Sequence, residues 1–193
     1  MIKRYAVCFI ALYWMITSLS NDASAELEVS VTTEYYSVYG ESAVEINESL
    51  QANGPIGESG KTVTALTKSN LQWHINFLMD DSSCQITSIT VSEEITYLLP
   101  KLEDIEYLEP ELALRWKKFM LAVERHEYTH RMITETSASK MEMSLRNMGP
   151  EESCDKLKTR ANTIGDRIHR EAIELNNKYD LDTGHGKNQG VVF

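Results

Sequence analysis

The sequence predicts an α+β fold, in which an N-terminal antiparallel β-sheet packs on a C-terminal helical layer. The first observation is that residues 27–99 are rich in Val, Ile, Thr and Tyr, and that apolar residues alternate with polar ones, as at Leu27, Val29 and Val31. This period of two is typical of half-buried strands. The second observation is that apolar residues recur at steps of three or four from residue 109 to 178, which indicates amphipathic helices.

Turn signals divide the β-rich half into separate elements. Asn53-Gly54-Pro55 begins a loop, and Asp80-Asp81-Ser82-Ser83 is typical of a tight turn. We therefore expect one or two strands over residues 63–77 and a further strand region over residues 84–98. Residues 42–50 fit neither period well and are interpreted as a short helix.

The helical half contains its own start and stop signals. Glu109-Pro110-Glu111 suits a helix N-terminus, and Gly149-Pro150 is a strong terminator. The periodic segment between them is one long helix, or two helices with a break near residues 134–139. Another helix is expected from Pro150 towards Lys178. Residues 179–193 have glycines but no periodicity, so this tail is expected to form a loop.

The N-terminus has the pattern of a secretory signal peptide. Lys3 and Arg4 precede the mostly apolar residues 5–19, and Ala23-Ser24-Ala25 offers a small-residue cleavage site. The alternative is a membrane anchor that stays uncut, although the apolar stretch is short for a span. We therefore expect a signal peptide over residues 1–25, a secreted or periplasmic location, and one domain over residues 26–193.

Charge and cysteine content narrow the range of partners and the redox environment. The formal net charge is −10, which disfavours nucleic acid and anionic lipid as partners, so no membrane association is expected once the leader is removed. Cys84 and Cys154 remain after the predicted cleavage, and an even count in an exported protein indicates a disulfide. A role as metal ligands is disfavoured, because no other Cys or His lies within two to four residues of either cysteine.

The segment His126-Glu127-Tyr128-Thr129-His130 lies inside the predicted long helix and carries the chemistry. Residues four apart lie on one helix face, so both imidazoles can reach one metal ion at about 2.0–2.1 Å. Glu127 lies beside that ion, where its carboxylate can take a proton from a water activated by zinc and then protonate the leaving amine. This pattern is typical of zinc peptidases. The alternative is a solvated, salt-bridged helix face with two incidental histidines.

A catalytic zinc site usually takes three protein ligands and keeps one position open. The metzincin extension is excluded, because Ile133 and Thr136 stand where it requires Gly and His. His185 is the first-ranked third ligand, because a histidine between Gly184 and Gly186 in a loop has no evident packing role.

Other residues remain open as the third ligand. They are Asp180 or Asp182 in the tail, and Glu171 on the second helix. A different role for Asp180 is to orient a ligand histidine through a hydrogen bond. Tyr179 could donate a hydrogen bond to the oxyanion of a tetrahedral intermediate, or pack near the tail.

A set of short motifs occurs in a fixed order along the chain. They are Tyr39-Gly40, Gly54-Pro55, Ala65-Leu66-Thr67, Trp73, Cys84, Leu99-Pro100, Trp116, the segment from His126 to His130, Cys154, Tyr179-Asp180, Thr183, His185-Gly186 and Gln189-Gly190. Their ordered combination resembles the bacterial family called domain of unknown function 922, a set of predicted secreted zinc-dependent proteases. The resemblance implies a zinc hydrolase with a zincin-like active-site helix, and it implies no particular substrate. It also supports His185 and Asp180 as site residues.

The sequence therefore predicts an exported zinc metallopeptidase acting on a peptide or protein substrate. His126, His130 and His185 are expected to hold zinc, and Glu127 is expected to act as general base and then as general acid. One alternative is a non-catalytic binding module with a structural or vestigial metal site. A further alternative is a zinc amidase acting on cell-wall material.

Overall fold

The computed structural model describes residues 23–57 and 60–193, so most of the predicted leader lies outside the described residues. These residues form an α+β structure with a three-stranded sheet and three α-helices, as predicted. No helix of the described part is both long and apolar enough to cross a membrane. The elements are β1 (Ser24–Val38), α1 (Ala43–Asn53), β2 (Leu66–Met79), β3 (Cys84–Leu102), α2 (Pro110–Arg146) and α3 (Cys154–Thr183), with short 3-10 helices at Ile105–Tyr107 and Lys187–Gln189.

The sheet is mixed, and the prediction of an antiparallel sheet was wrong on this point. Its strand order is β1-β3-β2, in which β2 and β3 form an antiparallel hairpin and β1 runs parallel to β3. The segment that contains α1 carries the chain from the end of β1 to the start of β2 at the same end of the sheet, and β3 then fills the gap between them. Alternating apolar residues report which side chains share a face but not the direction of a strand.

The apolar residues of β1 are only partly covered, although their alternation correctly indicates a strand. Leu27, Val29 and Val31 are 36%, 42% and 37% exposed, while Val91, the partner of Leu27 on the central strand, is fully buried. Residues paired across strands share a face. The helical layer therefore covers the inner face of β3 and leaves the same face of the edge strand partly open.

Local signals in the chain explain where α1 and the β2–β3 turn form. Ser42 caps α1 by accepting a hydrogen bond from the Glu45 backbone N–H, and the Glu45 side chain accepts from the Ser42 backbone in return. This capping box satisfies two N–H groups that the first turn leaves free. At the hairpin, the Asp80 carboxylate accepts hydrogen bonds from the backbone N–H groups of Ser82 and Ser83.

Helix α2 is a single unbroken helix of 37 residues, and it connects two apolar cores. Its first half packs with α1 and the strand ends around Trp116 and Phe119. Its second half packs with α3 and the sheet around Met141 and Leu145. Between the two cores lie the buried polar residues of this helix: His126, Glu127, Thr134 and Ser137.

Helix α3 ends later than predicted, and the expected loop over residues 179–193 is wrong for its first part. The helix runs through Thr183 and ends where Gly184 adopts a left-handed conformation, with its N–H bonded to the carbonyls of Asp180 and Leu181. The weak hydrophobic periodicity of this last turn explains the early end of the prediction, because few of its side chains are buried. As a consequence, Asp180 lies in the last turn of a helix rather than in a loop.

A disulfide between Cys84 and Cys154 joins the start of β3 to the start of α3, as predicted. The backbone groups of Cys84 and Glu151 also exchange two hydrogen bonds beside it, at 2.7 and 3.0 Å. The linkage therefore holds the N-terminus of α3 against the sheet, and α3 carries Asp180 at its other end.

We expect the double variant Cys84→Ser/Cys154→Ser to unfold more easily than the wild type. The disulfide closes a loop of 70 residues, and the chain-entropy model assigns about 4 kcal/mol to such a loop. Urea denaturation followed by circular dichroism measures this loss, with reduced wild-type protein as the control. An unchanged unfolding midpoint in both samples would show that the linkage contributes nothing.

Glu93 is a buried carboxyl group in the middle of β3. Its side chain is 1% exposed, its Oε1 accepts a hydrogen bond from the Ser69 hydroxyl at 2.6 Å, and its Oε2 has no partner within residues 23–57 and 60–193. Burial raises the pKa of Glu93, and the neighbouring carboxylates of Glu135 and Glu94 raise it further, while bonds from Ser69 and the Asn70 backbone oppose this shift.

We expect Glu93→Gln to reduce the loss of stability with rising pH. A raised pKa means that folded Glu93 keeps a proton that the unfolded chain has released, so stability falls as the pH rises through this interval. The variant should be more stable than the wild type by roughly 1–3 kcal/mol above that interval. Denaturation curves between about pH 5 and pH 8 test this, with the exposed neighbour Glu94→Gln as the control. The expectation would be contradicted if the free energy of unfolding changed with pH in the same way in Glu93→Gln and in the wild type.

Candidate metal centre

One turn of α2, between the two apolar cores, carries three of the predicted site residues. His126 and Glu127 are 4% and 5% exposed, and the His130 side chain is 12% exposed. The two imidazoles project towards α3, whereas the Glu127 carboxylate meets the start of β2. The four-residue spacing thus brings both rings to one place, as the sequence predicts.

The third group at this place is Asp180 on α3. Its Oδ1 lies 3.1 Å from His126 Nε2 and 3.1 Å from His130 Nε2, and the two Nε2 atoms lie 3.3 Å apart. These three atoms form a group that could hold a metal ion. Tetrahedral coordination with bonds of about 2.0–2.1 Å separates neighbouring ligand atoms by about 3.3 Å, so the observed spacing fits such an ion.

Hydrogen bonds on the far side of each ring set its tautomer. His126 Nδ1 lies 2.9 Å from Gln189 Oε1, which also accepts from the Tyr179 hydroxyl at 3.1 Å. His130 Nδ1 lies 2.8 Å from Asn176 Oδ1, and the amide nitrogen of Asn176 donates to the Ala172 carbonyl. Both Nδ1 atoms therefore face amide oxygens, which only accept, so each Nδ1 carries the proton.

This assignment leaves three acceptors pointing at one another. With the protons on Nδ1, each Nε2 presents a lone pair, and both lone pairs meet the Asp180 Oδ1. A proton on one ring supplies a single donor for this group, whereas a divalent cation satisfies all three atoms at once. Ligand histidines in metal sites commonly donate their other N–H to an oxygen, as both rings do here.

The electrostatics of the cluster favour an ionised Asp180. Burial disfavours the charge of Asp180, but a ring that is protonated on both nitrogens donates from Nε2 to Oδ1, and this bonding to His126 and His130 outweighs burial and holds the pKa of this carboxyl far below its usual value. Burial likewise disfavours a charged His130, but its bonds with Asp180 and Asn176 raise the pKa of this ring overall. The site is therefore built to hold a carboxylate next to positive charge.

Glu127 lies beside the cluster and is as buried as His126. Burial raises the pKa of Glu127, while the hydrogen bond from the Thr67 hydroxyl and the nearby His130 and His126 lower it. The Thr67 Oγ1 lies 2.6 Å from Glu127 Oε2. A carboxylate with these opposing influences is suited to exchange protons, which is the property that a general base and acid requires.

The structure brings some of the predicted site residues together and places others outside the cluster. His185 is exposed, and its Nδ1 lies 3.6 Å from Asp180 Oδ2, outside the group of three atoms. Glu171 is bonded to Lys140 and Arg167 on the surface and lies away from the cluster.

Tyr179 packs against the imidazole rings of His126 and His130. Its ring stacks on His126 at 4.9 Å between centroids and meets His130 edge-on at 5.1 Å. Its hydroxyl donates to Gln189. Tyr179 therefore supports the two imidazoles. Its hydroxyl proton, which the predicted contact with an oxyanion requires, is donated to the amide oxygen of Gln189.

The C-terminal tail reaches the site because it folds back on α2. Phe193 packs against Trp116 and Phe119 at 5.4 and 5.3 Å, which anchors the end of the tail in the first core. Gly186 has φ +77°, and a Cβ there would lie 3.2 Å from His126 Cγ and 2.5 Å from a Val191 side-chain atom. The glycine thus permits the close approach that delivers Gln189 to His126.

Sequence reasoning missed Asn176, Gln189 and Thr67 as members of the site. Asn176 could have been found, since it lies four residues before Asp180 and shares a helix face with it once α3 is extended. The other two residues come from the tail and from β2, and their contacts depend on the tertiary fold.

A comparison with protein families gives a match over most of the chain. The model of the family described as "Bacterial protein of unknown function (DUF922)" matches residues 33–186, a range that includes His126, Glu127, His130 and Asp180. No curated protein and no solved structure matches the chain. By this match, the chain belongs to the bacterial DUF922 family.

Proposed function

We propose that the protein is an exported zinc metallopeptidase whose ion is held by His126, His130 and Asp180. The observation that carries the proposal is the convergence of two Nε2 lone pairs and one carboxylate oxygen within 3.3 Å of each other. A buried glutamate, Glu127, lies on the same helical turn. Three protein ligands leave one coordination position for water or substrate, as catalytic zinc sites require.

Zinc bound at this site supplies Lewis acidity, which lowers the pKa of water to about 7 and polarises a carbonyl group. Glu127 takes a proton from the attacking water as the water oxygen bonds to the carbonyl carbon. Glu127 then gives this proton to the leaving nitrogen as the C–N bond breaks. The products are a carboxylic acid and an amine, so one water is consumed and Glu127 returns to its starting state.

The identity of the metal is part of the proposal. Two imidazoles and one carboxylate are also the ligand set of non-haem iron(II) sites. Zinc is favoured because the segment from His126 to His130 places a glutamate where a hydrolytic base is needed. A purely oxidative iron site does not need such a base. Elemental analysis of protein purified without added metal distinguishes zinc from iron directly.

A peptide substrate fits the position of the site relative to the sheet. β2 is an edge strand, and its second residue, Thr67, contacts Glu127. An extended peptide that pairs with a sheet edge gains main-chain hydrogen bonds, a common mode of recognition. An exported location is supported by the disulfide between Cys84 and Cys154, since such bonds persist in oxidising compartments.

The test compares zinc-loaded, chelator-treated and zinc-restored protein on three substrates: casein, a peptide library and purified cell-wall material. The proposal predicts cleavage of peptides that is lost on chelation and returns with zinc. Cleavage of cell-wall material alone would replace the peptidase by an amidase. Absence of hydrolysis in every zinc-loaded sample would defeat the catalytic proposal.

A non-catalytic module with a closed metal site is the second candidate, and the position of His185 favours it. This imidazole lies beside Asp180 and could serve as a fourth ligand. A closed site of four protein ligands is typical of structural zinc. His185→Ala separates the two candidates, because the closed site loses most of its zinc affinity in this variant and the open catalytic site keeps its affinity.

A further inference from the structure

The hydroxyl of Thr67 on β2 contacts the glutamate that the proposed reaction uses. Thr67 Oγ1 donates to Glu127 Oε2 at 2.6 Å and lies 3.4 Å from the Glu127 carbonyl oxygen. Thr67 is paired with Tyr97 of the central strand, so the sheet fixes the backbone that carries this hydroxyl. Glu127 is 5% exposed, and the contact lies in the interior, between the sheet and α2.

The helix alone does not determine where the Glu127 carboxylate points. His126 and His130 each have a partner on the α3 side, Gln189 and Asn176 respectively, and these partners orient the two rings. Glu127 has three side-chain torsions and points towards the sheet. Within residues 23–57 and 60–193, the side chain that donates a hydrogen bond to its carboxylate is that of Thr67.

We propose that Thr67 is the positioning residue for Glu127, an inference that rests on the proposed hydrolytic function. Thr67 engages Oε2, so Oε1 is the oxygen that would take the proton of the attacking water. A base held in one orientation removes the proton without first ordering its side chain. Misplacement of a reacting group by about 1 Å can lower turnover by on the order of 100-fold.

The same strand provides a matched control two residues further along. Ser69 lies on the same face of β2, and its hydroxyl donates to a second buried carboxylate, Glu93, at 2.6 Å. The two contacts have the same chemistry and the same length, but only the Thr67 contact involves the metal-binding turn. A general effect of breaking a buried hydroxyl–carboxylate bond therefore appears in both variants, and a positioning effect appears in one.

The experiment compares Thr67→Val, Thr67→Ser and Ser69→Ala as zinc-loaded full-length proteins, by crystallography and by steady-state kinetics. We expect Thr67→Val to lower kcat by roughly 30- to 100-fold while KM and zinc affinity stay within about threefold. Its crystal structure should show the Glu127 carboxylate rotated away from its place in the wild type. Thr67→Ser keeps the hydroxyl and should restore both the carboxylate position and most of kcat. Ser69→Ala should lose stability but keep kcat within about twofold.

Two results would overturn the inference. One is a Glu127 carboxylate that stays in place in Thr67→Val, and the other is a Thr67→Val kcat within about twofold of the wild type. A failure of the proposed function itself gives a different result. In that case the wild-type protein hydrolyses no substrate, or Glu127→Gln hydrolyses substrate as fast as the wild type. In that case the crystal structures alone decide whether Thr67 holds the carboxylate.

Discussion

Replacing Asp180 by alanine is expected to weaken zinc binding by roughly 100-fold, because it removes one of the three proposed protein ligands. Structural zinc sites with four protein ligands gain about 10–16 kcal/mol from the ion, which is about 2.5–4 kcal/mol per ligand. Asp180 Oδ1 is the atom that meets both imidazole nitrogens, at 3.1 Å each. Alanine leaves two histidines to hold the ion. Competition titration against a chromophoric zinc chelator measures the change.

The control for this variant is Asp182→Ala, two residues later on the same helix. Asp182 is exposed and bonded to Lys178, outside the cluster. Asp182→Ala should bind zinc like the wild type, and circular dichroism should show that both variants keep their helices. Equal zinc affinity in Asp180→Ala and wild type would exclude Asp180 as a ligand.

Glu127→Gln is expected to abolish most hydrolysis while zinc remains bound. Glutamine keeps the shape of the side chain and can still accept the Thr67 hydrogen bond, but it cannot take a proton from water. General acid–base catalysis typically contributes a factor of about 10²–10⁴, so the variant should lose roughly that much of kcat. Peptide hydrolysis and zinc content are measured on the same preparations.

Glu124→Gln is the matched control for Glu127→Gln. Glu124 lies on α2 almost one turn earlier, and its side chain is exposed. The control removes the same charge from the same helix, so it reports any effect of net charge alone. A turnover in Glu127→Gln that equals that of Glu124→Gln would show that Glu127 is not the base.

The helical part of the site could be predicted because local rules determine it. The spacing of His126 and His130 requires only an α-helix to bring the two rings together. The pairing of Cys84 with Cys154 follows from the cysteine count of the predicted mature chain. In the first case helix geometry is sufficient, and in the second case two cysteines allow a single pairing. Neither prediction needs knowledge of the tertiary fold.

The third group of the site was harder to predict, because its identity depends on where α3 ends. Ending the helix at Lys178 places Asp180 and His185 in the same loop, where a glycine-flanked histidine is the more conspicuous residue. In the structure the helix continues through Thr183, and the position of Asp180 on this helix brings Oδ1 to the imidazoles. Few residues of that last turn are buried, so the hydrophobic periodicity does not show that the helix continues.

The direction of β1 and the contacts of Thr67 and Gln189 could not be predicted from local patterns. β1 and β3 are paired across more than sixty positions of sequence, and alternation is the same in parallel and antiparallel strands. Gln189 contacts His126 where the tail folds back on α2, and Phe193 at the end of this tail packs against Trp116 and Phe119. These contacts come from the packing of distant segments.

A crystal structure of zinc-saturated protein, with anomalous scattering at the zinc edge, tests the central claim most directly. We expect one zinc ion per chain, bound by the Nε2 atoms of His126 and His130 and by the Asp180 carboxylate at about 2.0–2.2 Å, with a fourth position open to solvent. An anomalous map with no ion at these three atoms under saturating zinc would contradict the account.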